Sequence, residues 1–450
     1  MLNKILLFFL SLTFYHHFSF CQQPDLYNKI SEQINWDYPY YKSLYRHLHQ
    51  FPELSYQEKA TSERIAMELR TIGLEVTDHF GSYGVVGLIK NGEGSTVLVR
   101  ADMDALPILE KTGLPYASKV KAINQNGLEV DVMHACGHDI HMTVFIGVAK
   151  TLIKFKNKWQ GTVVIVAQPA EETGGGAKTM LKEGLYTKFP KPDYCLALHV
   201  SPELKSGKVG YCPGTALASV DAIDITVYGE GGHGAYPHKT IDPIVLASRI
   251  VLALQTIVSR EISPLNPAVV TVGAINGGFK HNVIPDEVKL QLTIRSYADE
   301  VRTQTIESIK RITRGIAISA GLPEEKYPEV LLSEEYTPST INDEQLTGSV
   351  AKVFVDALGK ENVLRVDPVM AGEDFSQYGR TKDNIPICIF WLGTVDSQKM
   401  KESKEKGKAL PPLHSPFFAP KPEKTIKTGI KAMTSAVINL LNNKEGSSEK

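Results

Sequence analysis

The chain has 450 residues, of which 42% are hydrophobic and 22% are charged, and its formal net charge at pH 7 is -1. This composition is typical of a globular protein and excludes a fibrous or mainly disordered chain, while the length favours two or three domains. Because the charges nearly balance, there is no broad basic field for nucleic acid or an anionic membrane, so we expect a small-molecule ligand and no nucleic-acid partner.

The first 21 residues have the layout of a secretory signal peptide. A lysine is followed by an apolar run and then by small or polar residues. The run is short for a spanning helix, so no stable membrane span is predicted and the protein is expected to be exported to a periplasm or secreted. Lipid anchoring at Cys21 is the less favoured alternative, because residues 18–20 fit the small-residue pattern poorly. Residues 443–450 are expected to form a frayed tail.

Short β-branched runs alternate with helical patterns in the first half of the chain, and three of them are apolar on both faces. These runs lie at 96–100, 162–168 and 194–200. Such runs are typical of a buried, mostly parallel sheet with helices on its faces. Apolar residues recur at helical spacing after the segment HACGHD at 134–139, which predicts a helix there. Asp139 is predicted to cap this helix. The sequence therefore predicts an α/β catalytic domain over 26–214 that resumes at 331–442.

The pattern changes at residues 215–330, which we predict to be an inserted domain. Strand-like segments and two long helical stretches follow one another as strand, helix, strand, strand, helix, strand, the split βαβ order. Asp242 and Pro243 are predicted to start the first of these helices, and Gly321 is predicted to follow the second. We therefore expect a smaller α+β, ferredoxin-like domain that interrupts the catalytic domain.

One segment contains a thiol and three imidazoles within eight positions. The residues are His134, Cys136, His138 and His141. Thiolate and neutral imidazole are the ligands that zinc and similar cations prefer, and both must be deprotonated to bind. The alternative is a set of solvated or capping residues at a helix start. The segment therefore predicts a metal site only if further acidic residues and histidines converge on it.

Polar residues follow all three apolar runs. Asp102 and Asp104 follow the first run, Glu171 and Glu172 follow the second, and His199 lies at the end of the third. Because the carboxyl ends of parallel strands meet at one edge of a sheet, we expect these side chains to lie together. Of two adjacent glutamates, one can bind a cation while the other takes a proton from water whose pKa a cation has lowered.

Three later segments supply further candidates. His233, in a glycine-rich loop, can donate a hydrogen bond to a developing oxyanion, although a flexible turn explains it equally. Asn282 lies in another loop, and Arg295 on the next strand can form a fork to a carboxylate; the alternative for Arg295 is a surface ion pair. His414, after a proline-rich loop, is a candidate metal ligand near the end of the chain.

Taken together, eight motifs resemble one enzyme family. They are RADMDALPI, HACGHDIHM, AEETGGGAK, LHV, GGHGAYPH, NVIPDE, AGEDF and LHSPF. In order and spacing they resemble the amidohydrolase branch of the aminoacylase and carboxypeptidase metallopeptidase superfamily, which includes hippurate hydrolases, N-acyl-amino-acid amidohydrolases and auxin-conjugate hydrolases. The resemblance spans about residues 35–440.

The resemblance implies a binuclear metal-dependent enzyme that cleaves the amide bond of N-acyl amino acids or small peptides with metal-activated water. The implied ligands of two divalent cations, zinc or manganese, are Cys136, His138, Glu172, His199 and His414. Glu171 is implied as the general base, and Asp104 is implied to orient the site. The wider superfamily usually has a histidine where Asp102 stands, and this departure leaves the choice of metal open.

The resemblance also implies a homodimer, because the inserted domain of this family commonly mediates dimer contacts. It implies that His233 stabilises the oxyanion, in many members at the active site of the partner subunit, and that Asn282 and Arg295 bind the substrate. Motif residues without a ligand role are taken as outer-shell or structural: His134, His141, His238 and Glu373.

Two alternatives from other classes remain at this point. One is a cysteine hydrolase that uses Cys136 as nucleophile with a nearby histidine as base. The other is a non-catalytic metal-binding or peptide-binding protein that keeps the fold.

Overall fold

The computed structural model describes residues 23–333 and 336–443. The predicted signal peptide and residues 444–450 of the predicted tail lie outside the described residues, so export stays a prediction.

The described chain contains both strands and helices along its length. In chain order the strands are β1 Glu75–Phe80, β2 Gly84–Asn91, β3 Thr96–Asp102, β4 Lys121–Ile123, β5 Glu129–Asp131, β6 Gly161–Gln168, β7 Tyr194–Lys205, β8 Val209–Tyr211, β9 Gly214–Leu217, β10 Asp221–Tyr228, β11 Gly232–His233, β12 Ala268–Asn276, β13 Val283–Ile284, β14 Glu287–Ser296, β15 Glu329–Leu332, β16 Thr340–Asn342, β17 Val363–Arg365 and β18 Ile387–Val395. The helices are α1 Gln23–Gln50, α2 Lys59–Ile72, α3 His138–Lys154, α4 Gly176–Glu183, α5 Leu185–Lys188, α6 Pro243–Thr256, α7 Asp299–Ser319, α8 Glu344–Leu358, α9 Ser376–Gly379, α10 Ser397–Lys406 and α11 Pro422–Asn442.

An eight-stranded sheet forms the larger part of the molecule, in the order β1-β2-β6-β3-β7-β18-β8-β17. Its four central strands, β6, β3, β7 and β18, are parallel to one another. Alternate residues of these strands belong to two different hydrophobic clusters, as expected for a sheet that is covered on both faces. Helices α1, α3, α8 and α11 pack together on one face, and α4 and α9 on the other. The predicted α/β catalytic domain is confirmed.

A second, four-stranded sheet has the order β12-β14-β10-β15 and is antiparallel throughout. Along the chain its elements run β10, α6, β12, β14, α7 and β15, which is the predicted split βαβ order. The carboxylate of Asp242 accepts hydrogen bonds from the amides of Ile244 and Val245 at the start of α6, as predicted. The smaller ferredoxin-like domain is therefore present, and its own hydrophobic cluster lies between this sheet and the two helices.

The start of α3 differs from the prediction. The residue that precedes the helix is Gly137, whose φ of 79° is left-handed, while Asp139 lies inside the first turn. Glycine adopts this conformation without a steric penalty, so the chain can turn sharply from Cys136 into the helix. The buried carboxylate of Asp139 instead accepts a hydrogen bond from His49 Nδ1 at 2.6 Å. The prediction that Asp139 caps the helix is wrong.

Candidate metal centre

The residues that follow the central strands lie at one edge of the large sheet. Strand β3 neighbours both β6 and β7, so the segments after these strands meet. The backbone amide of Glu172, in the loop after β6, donates to Asp104 Oδ2 at 2.9 Å. His138 Nε2 lies 3.9 Å from Glu172 Oε1 and 4.0 Å from Glu171 Oε2. The convergence expected from the sequence is therefore present.

The five predicted metal ligands form two groups of three that share one residue. One group is Cys136, His138 and His199, and the other is Cys136, Glu172 and His414. Within each group the potential ligand atoms lie within 4.8 Å of one another. Thiolate, imidazole and carboxylate are ligands of divalent cations, so each group of three could hold one cation.

Hydrogen bonds fix the direction of the imidazoles. His138 Nδ1 donates to the Asp104 carbonyl at 2.8 Å, and His199 Nδ1 donates to the Val200 carbonyl at 2.8 Å. Both rings therefore direct Nε2 towards the two ligand groups, which together are called the cluster below. Ligand histidines do this when a backbone carbonyl holds the other nitrogen.

His141 is different, although it belongs to the same motif. Its Nε2 accepts from the amide of Val200 at 2.9 Å, and its Nδ1 donates to Asp102 Oδ1 at 2.6 Å. Both nitrogens are used, so His141 has no lone pair left for a metal. Its assignment as outer-shell or structural agrees with this geometry.

Burial and repulsion between neighbouring carboxylates raise the pKa values of the acidic groups at this site. Burial raises the pKa of Glu172 to about 7, with the Asp104 carboxylate adding to the shift. Burial and the neighbouring Glu373 raise the pKa of Glu171 well above its usual value. The pKa of the Cys136 thiol is also raised, by burial and by Glu172 and Glu171. Divalent cations would replace these protons and stabilise the deprotonated groups.

Three buried atoms of the cluster are without a hydrogen-bond partner among the residues that the structure describes. They are His138 Nε2, Glu172 Oε1 and Asp104 Oδ1. Buried polar atoms are normally satisfied, and these face a set of thiol, imidazole and carboxylate groups suited to zinc or manganese. The donor set and the orphaned atoms therefore fit a bound pair of divalent cations.

A buried arginine that contacts Asp102 was not identified as a candidate from the sequence. Arg100, on β3, contacts Asp102 Oδ2 at 2.6 Å, Asp374 Oδ1 at 2.8 Å and Glu373 Oε1 at 3.0 Å. Burial alone would lower its pKa, but the three carboxylates raise it. Glu373, which was left without a role, thus joins an ion-pair network and lies close to Glu171. A charged residue inside an apolar strand pattern was the available signal.

The loop that carries Glu171 and Glu172 is tightly constrained. Ala170 has a φ of 52°, in the left-handed region that favours glycine. A Cβ atom on Gly176 would lie 1.7 Å from the Pro169 carbonyl oxygen, so only glycine fits there. The glycine run after the two glutamates thus allows the chain to fold back closely on itself and direct both carboxylates to the cluster.

His233 and Asn282 lie together on the smaller domain, apart from this cluster. Strand β11 pairs with β13, and the amide of Gly234 donates to the Asn282 carbonyl at 2.9 Å. Both side chains are exposed. Across residues 23–333 and 336–443, no hydrogen bond, ion pair or ring contact joins either of them to the metal-ligand candidates. Their catalytic and substrate-binding roles stay predictions.

Arg295 is half-buried on β14 and its guanidinium is available. Nη1 donates to the Met370 carbonyl at 2.8 Å, and burial lowers its pKa. It has no ion pair within the described part of the chain. Met370 immediately precedes the AGEDF segment that holds Glu373 beside Glu171, so Arg295 contacts the chain next to the candidate metal centre.

Residues 98–439 match the family described as Peptidase family M20/M25/M40. The chain belongs to this family. It is 37% identical over 379 residues to thermostable carboxypeptidase 1 of Saccharolobus solfataricus, covering 83% of this chain and 91% of the relative. It is 37% identical over 345 residues to a hippurate hydrolase of Campylobacter jejuni, covering 76% of this chain and 85% of the relative.

A solved structure of the M20 family agrees with this assignment. The fold matches a Bacillus subtilis protein described as a dinuclear metal-binding peptidase, with a TM-score of 0.71 and 28% identity over 92% of this chain and 99% of the other. The resemblance inferred from the motifs is therefore confirmed, and so is the prediction of a metal-dependent hydrolase that acts on linear amides.

The geometry and the pKa values of Cys136 and His199 bear on the cysteine-hydrolase alternative. Cys136 Sγ does lie 3.5 Å from His199 Nε2, as a nucleophile and its base would. A nucleophilic cysteine, however, needs a lowered pKa. Here burial raises the pKa of the thiol, while burial and the nearby His141 lower the pKa of His199 to about 3. Without a cation, a raised thiol pKa does not favour thiolate catalysis.

Proposed function

We propose that this enzyme hydrolyses N-acyl amino acids or small peptides, with Glu171 as general base and with Cys136, His138, Glu172, His199 and His414 as ligands of two divalent cations. The observation that carries the proposal is the pair of ligand groups that share Cys136, with the Glu171 carboxylate directly beside them. The names of the hippurate hydrolase and carboxypeptidase relatives support this substrate class.

The residues of the chain account for binding, orientation and proton transfer. Cations held by the proposed ligands would supply Lewis-acid chemistry at the acyl carbonyl and would lower the pKa of a water molecule. The Glu171 carboxylate takes the proton from this water and returns it to the leaving amine, so that one group serves both steps of amide hydrolysis. Asp104 orients the site through its bonds to His138 and to the amide of Glu172.

The ligand set supports zinc or manganese as the cations. A thiolate favours zinc, while mixed carboxylate and imidazole ligands tolerate manganese. The direct experiment is a panel of N-acetyl, N-benzoyl and indole-acetyl amino acids and of dipeptides, assayed with each metal. Failure of every substrate with both metals would contradict the proposed function.

We expect Arg295→Met to raise KM for substrates with a free carboxylate by about 10- to 100-fold, the effect of losing a charged hydrogen bond. The physical reason is that Arg295 is a half-buried guanidinium without an ion pair among the described residues. The measurement is steady-state kinetics on an N-acyl amino acid and on its carboxamide.

The carboxamide is the control for this variant, because it lacks the charge that Arg295 would bind. Its KM should change little, and thermal unfolding should show that loss of the Met370 contact leaves the fold intact. Equal effects on both substrates would remove Arg295 from carboxylate recognition.

A homodimer formed through the smaller domain is also proposed. Strand β12 is the edge of its sheet, with unpaired backbone groups on one side. Helix α6 and the turn after it, Pro243–Glu261, form one helical stretch. By length and composition alone this stretch could cross a membrane, and it is the only such helix among the described residues. It packs on the sheet of the smaller domain, and its outer face exposes Val245 and Leu252, the latter by 73%. An edge strand beside an exposed apolar helix face is suited to pairing with a second copy.

Mixing two inactive variants tests this dimer and the role of His233 together. Chains with Glu171→Gln and chains with His233→Ala should each be inactive alone. If His233 serves the partner subunit, a mixed dimer has one complete site, and random mixing should restore about a quarter of the native activity for a two-fold dimer. No recovery, with mixed dimers demonstrated by differently tagged chains, would place His233 outside the partner's site.

A further inference from the structure

Residues 54–58, which follow α1, contact the loops of the candidate metal centre. The backbone of Leu54 forms a bridge with Ala105, and Ser55 Oγ donates to Asp104 Oδ2 at 2.6 Å. A Cβ atom on Gly175 would lie 2.1 Å from the Tyr56 hydroxyl, so this hydroxyl packs against Gly175. No role was predicted for this segment from the sequence.

Glu58 makes the most direct of these contacts. Its side chain is completely buried, and Oε1 accepts a hydrogen bond from the backbone amide of Ala170 at 2.7 Å. The other oxygen, Oε2, has no hydrogen-bond partner among the described residues. Burial raises the pKa of Glu58 to about 8, and the Asp104 carboxylate adds to the shift. The contact of Glu58 with the loop is thus the hydrogen bond that Oε1 accepts from the Ala170 amide.

The position of this contact matters because Ala170 has left-handed backbone geometry and directly precedes the two glutamates. Such geometry is unfavourable for alanine and persists only where the surroundings hold it. If the amide of Ala170 is released, its φ can relax, and the carboxylates of Glu171 and Glu172 rotate with it. Glu58 and Asp104 hold successive parts of the loop through the amides of Ala170 and Glu172.

We propose that Glu58 is a positioning residue that fixes the direction of Glu171 and Glu172 by accepting the amide hydrogen bond of Ala170. This proposal rests on the proposed roles of Glu171 as base and Glu172 as ligand.

The test compares Glu58→Met with Glu58→Gln. Methionine keeps the length of the side chain but removes the acceptor, whereas glutamine keeps an oxygen for the Ala170 amide. We expect Glu58→Met to lower kcat by about 100-fold, the effect of a misplacement of about 1 Å, with KM within about threefold of native. We expect Glu58→Gln to keep kcat within about threefold of native. The visible spectrum of the cobalt-substituted protein should change in Glu58→Met only, because Glu172 is a ligand.

Glu68→Ala is the matched control for a loss of stability. Glu68 lies on α2, further along the helix that follows Glu58, is also buried and bonds to Tyr40 and Arg64, but it has no contact with the catalytic loop among the described residues. It should lower the unfolding temperature without changing kcat or the cobalt spectrum.

A second variant keeps the test decisive if Glu58→Met folds poorly. Glycine adopts a positive φ freely, so Ala170→Gly should reduce the dependence on Glu58. In the Ala170→Gly background, the loss of kcat on changing Glu58 to Met should fall from about 100-fold to about 10-fold, a coupling that a general loss of stability would not produce.

Native kcat and an unchanged cobalt spectrum in Glu58→Met would overturn the proposal, and so would equal losses in the two backgrounds. Glu171→Gln, assayed beside them, separates this failure from a failure of the proposed function. If Glu171→Gln is active, the role of Glu171 is wrong; if it is inactive while Glu58→Met is native, only the role of Glu58 is wrong.

Discussion

Glu171→Gln is expected to lower kcat by about 10³-fold or more, within the range that proton transfer by a positioned side chain contributes. The amide of glutamine cannot take a proton from water at neutral pH. Glutamine has the same size as glutamate, and Glu171 belongs to neither of the two ligand groups that share Cys136. The protein should therefore keep both cations, as measured by metal analysis after gel filtration, while it loses turnover of the best substrate.

Glu32→Gln, at an exposed position on α1, is the control for this variant and should behave as the native protein. A Glu171→Gln protein that is loaded with metal and still active would refute Glu171 as general base. A protein that loses its metal would show that Glu171 is needed as a ligand.

Cys136→Ser is expected to weaken both cation positions at once, because both ligand groups include this residue. A hydroxyl is a poor substitute for a thiolate. The loss of affinity should exceed the roughly 10- to 100-fold that follows removal of an outer-shell partner. Activity should be lost at limiting metal and should return in part when zinc or manganese is added in excess, as followed by metal titration of activity.

Cys212→Ser provides the matched control, since Cys212 is a buried free thiol whose Sγ donates to the Thr215 carbonyl, a bond that serine can keep. The same titration separates ligand from nucleophile. Removal of metal from the native enzyme by a chelator should abolish activity, and the metal should restore it. A Cys136→Ser protein that excess metal never rescues, beside a native enzyme that resists chelators, would support the cysteine-hydrolase alternative.

The side chains whose convergence could be predicted from the sequence are those whose position follows from local rules. Glu171, Glu172 and His199 follow or end apolar strands, and parallel strands deliver such residues to one edge of the sheet. Asp242 caps α6 through its own neighbours in sequence, so its role could also be predicted. The inserted domain was predictable because the order of its elements is local as well.

The features that were missed depend on contacts between distant parts of the chain. Arg100 finds its partners Glu373 and Asp374 only after the inserted domain has been completed. Glu58 meets Ala170 through the packing of α2 against the catalytic loop. The Asp139 cap was wrong because a local pattern competed with Gly137 and with a partner, His49, from another helix. A charged residue in an apolar strand, such as Arg100, is visible in the sequence, but its partners are set by the fold and cannot be identified from a short window of sequence.

The place of β18 in the large sheet has a consequence for how the protein matures. This strand lies between β7 and β8, yet it comes from the last part of the chain, beyond the inserted domain. The inserted domain can fold through contacts between neighbouring segments. The large sheet also needs β18, which is synthesised much later, and such non-local pairing is slow. A nascent chain therefore carries Cys136 and His138 well before His414 exists. The proposed set of five metal ligands is therefore complete only at the end of synthesis.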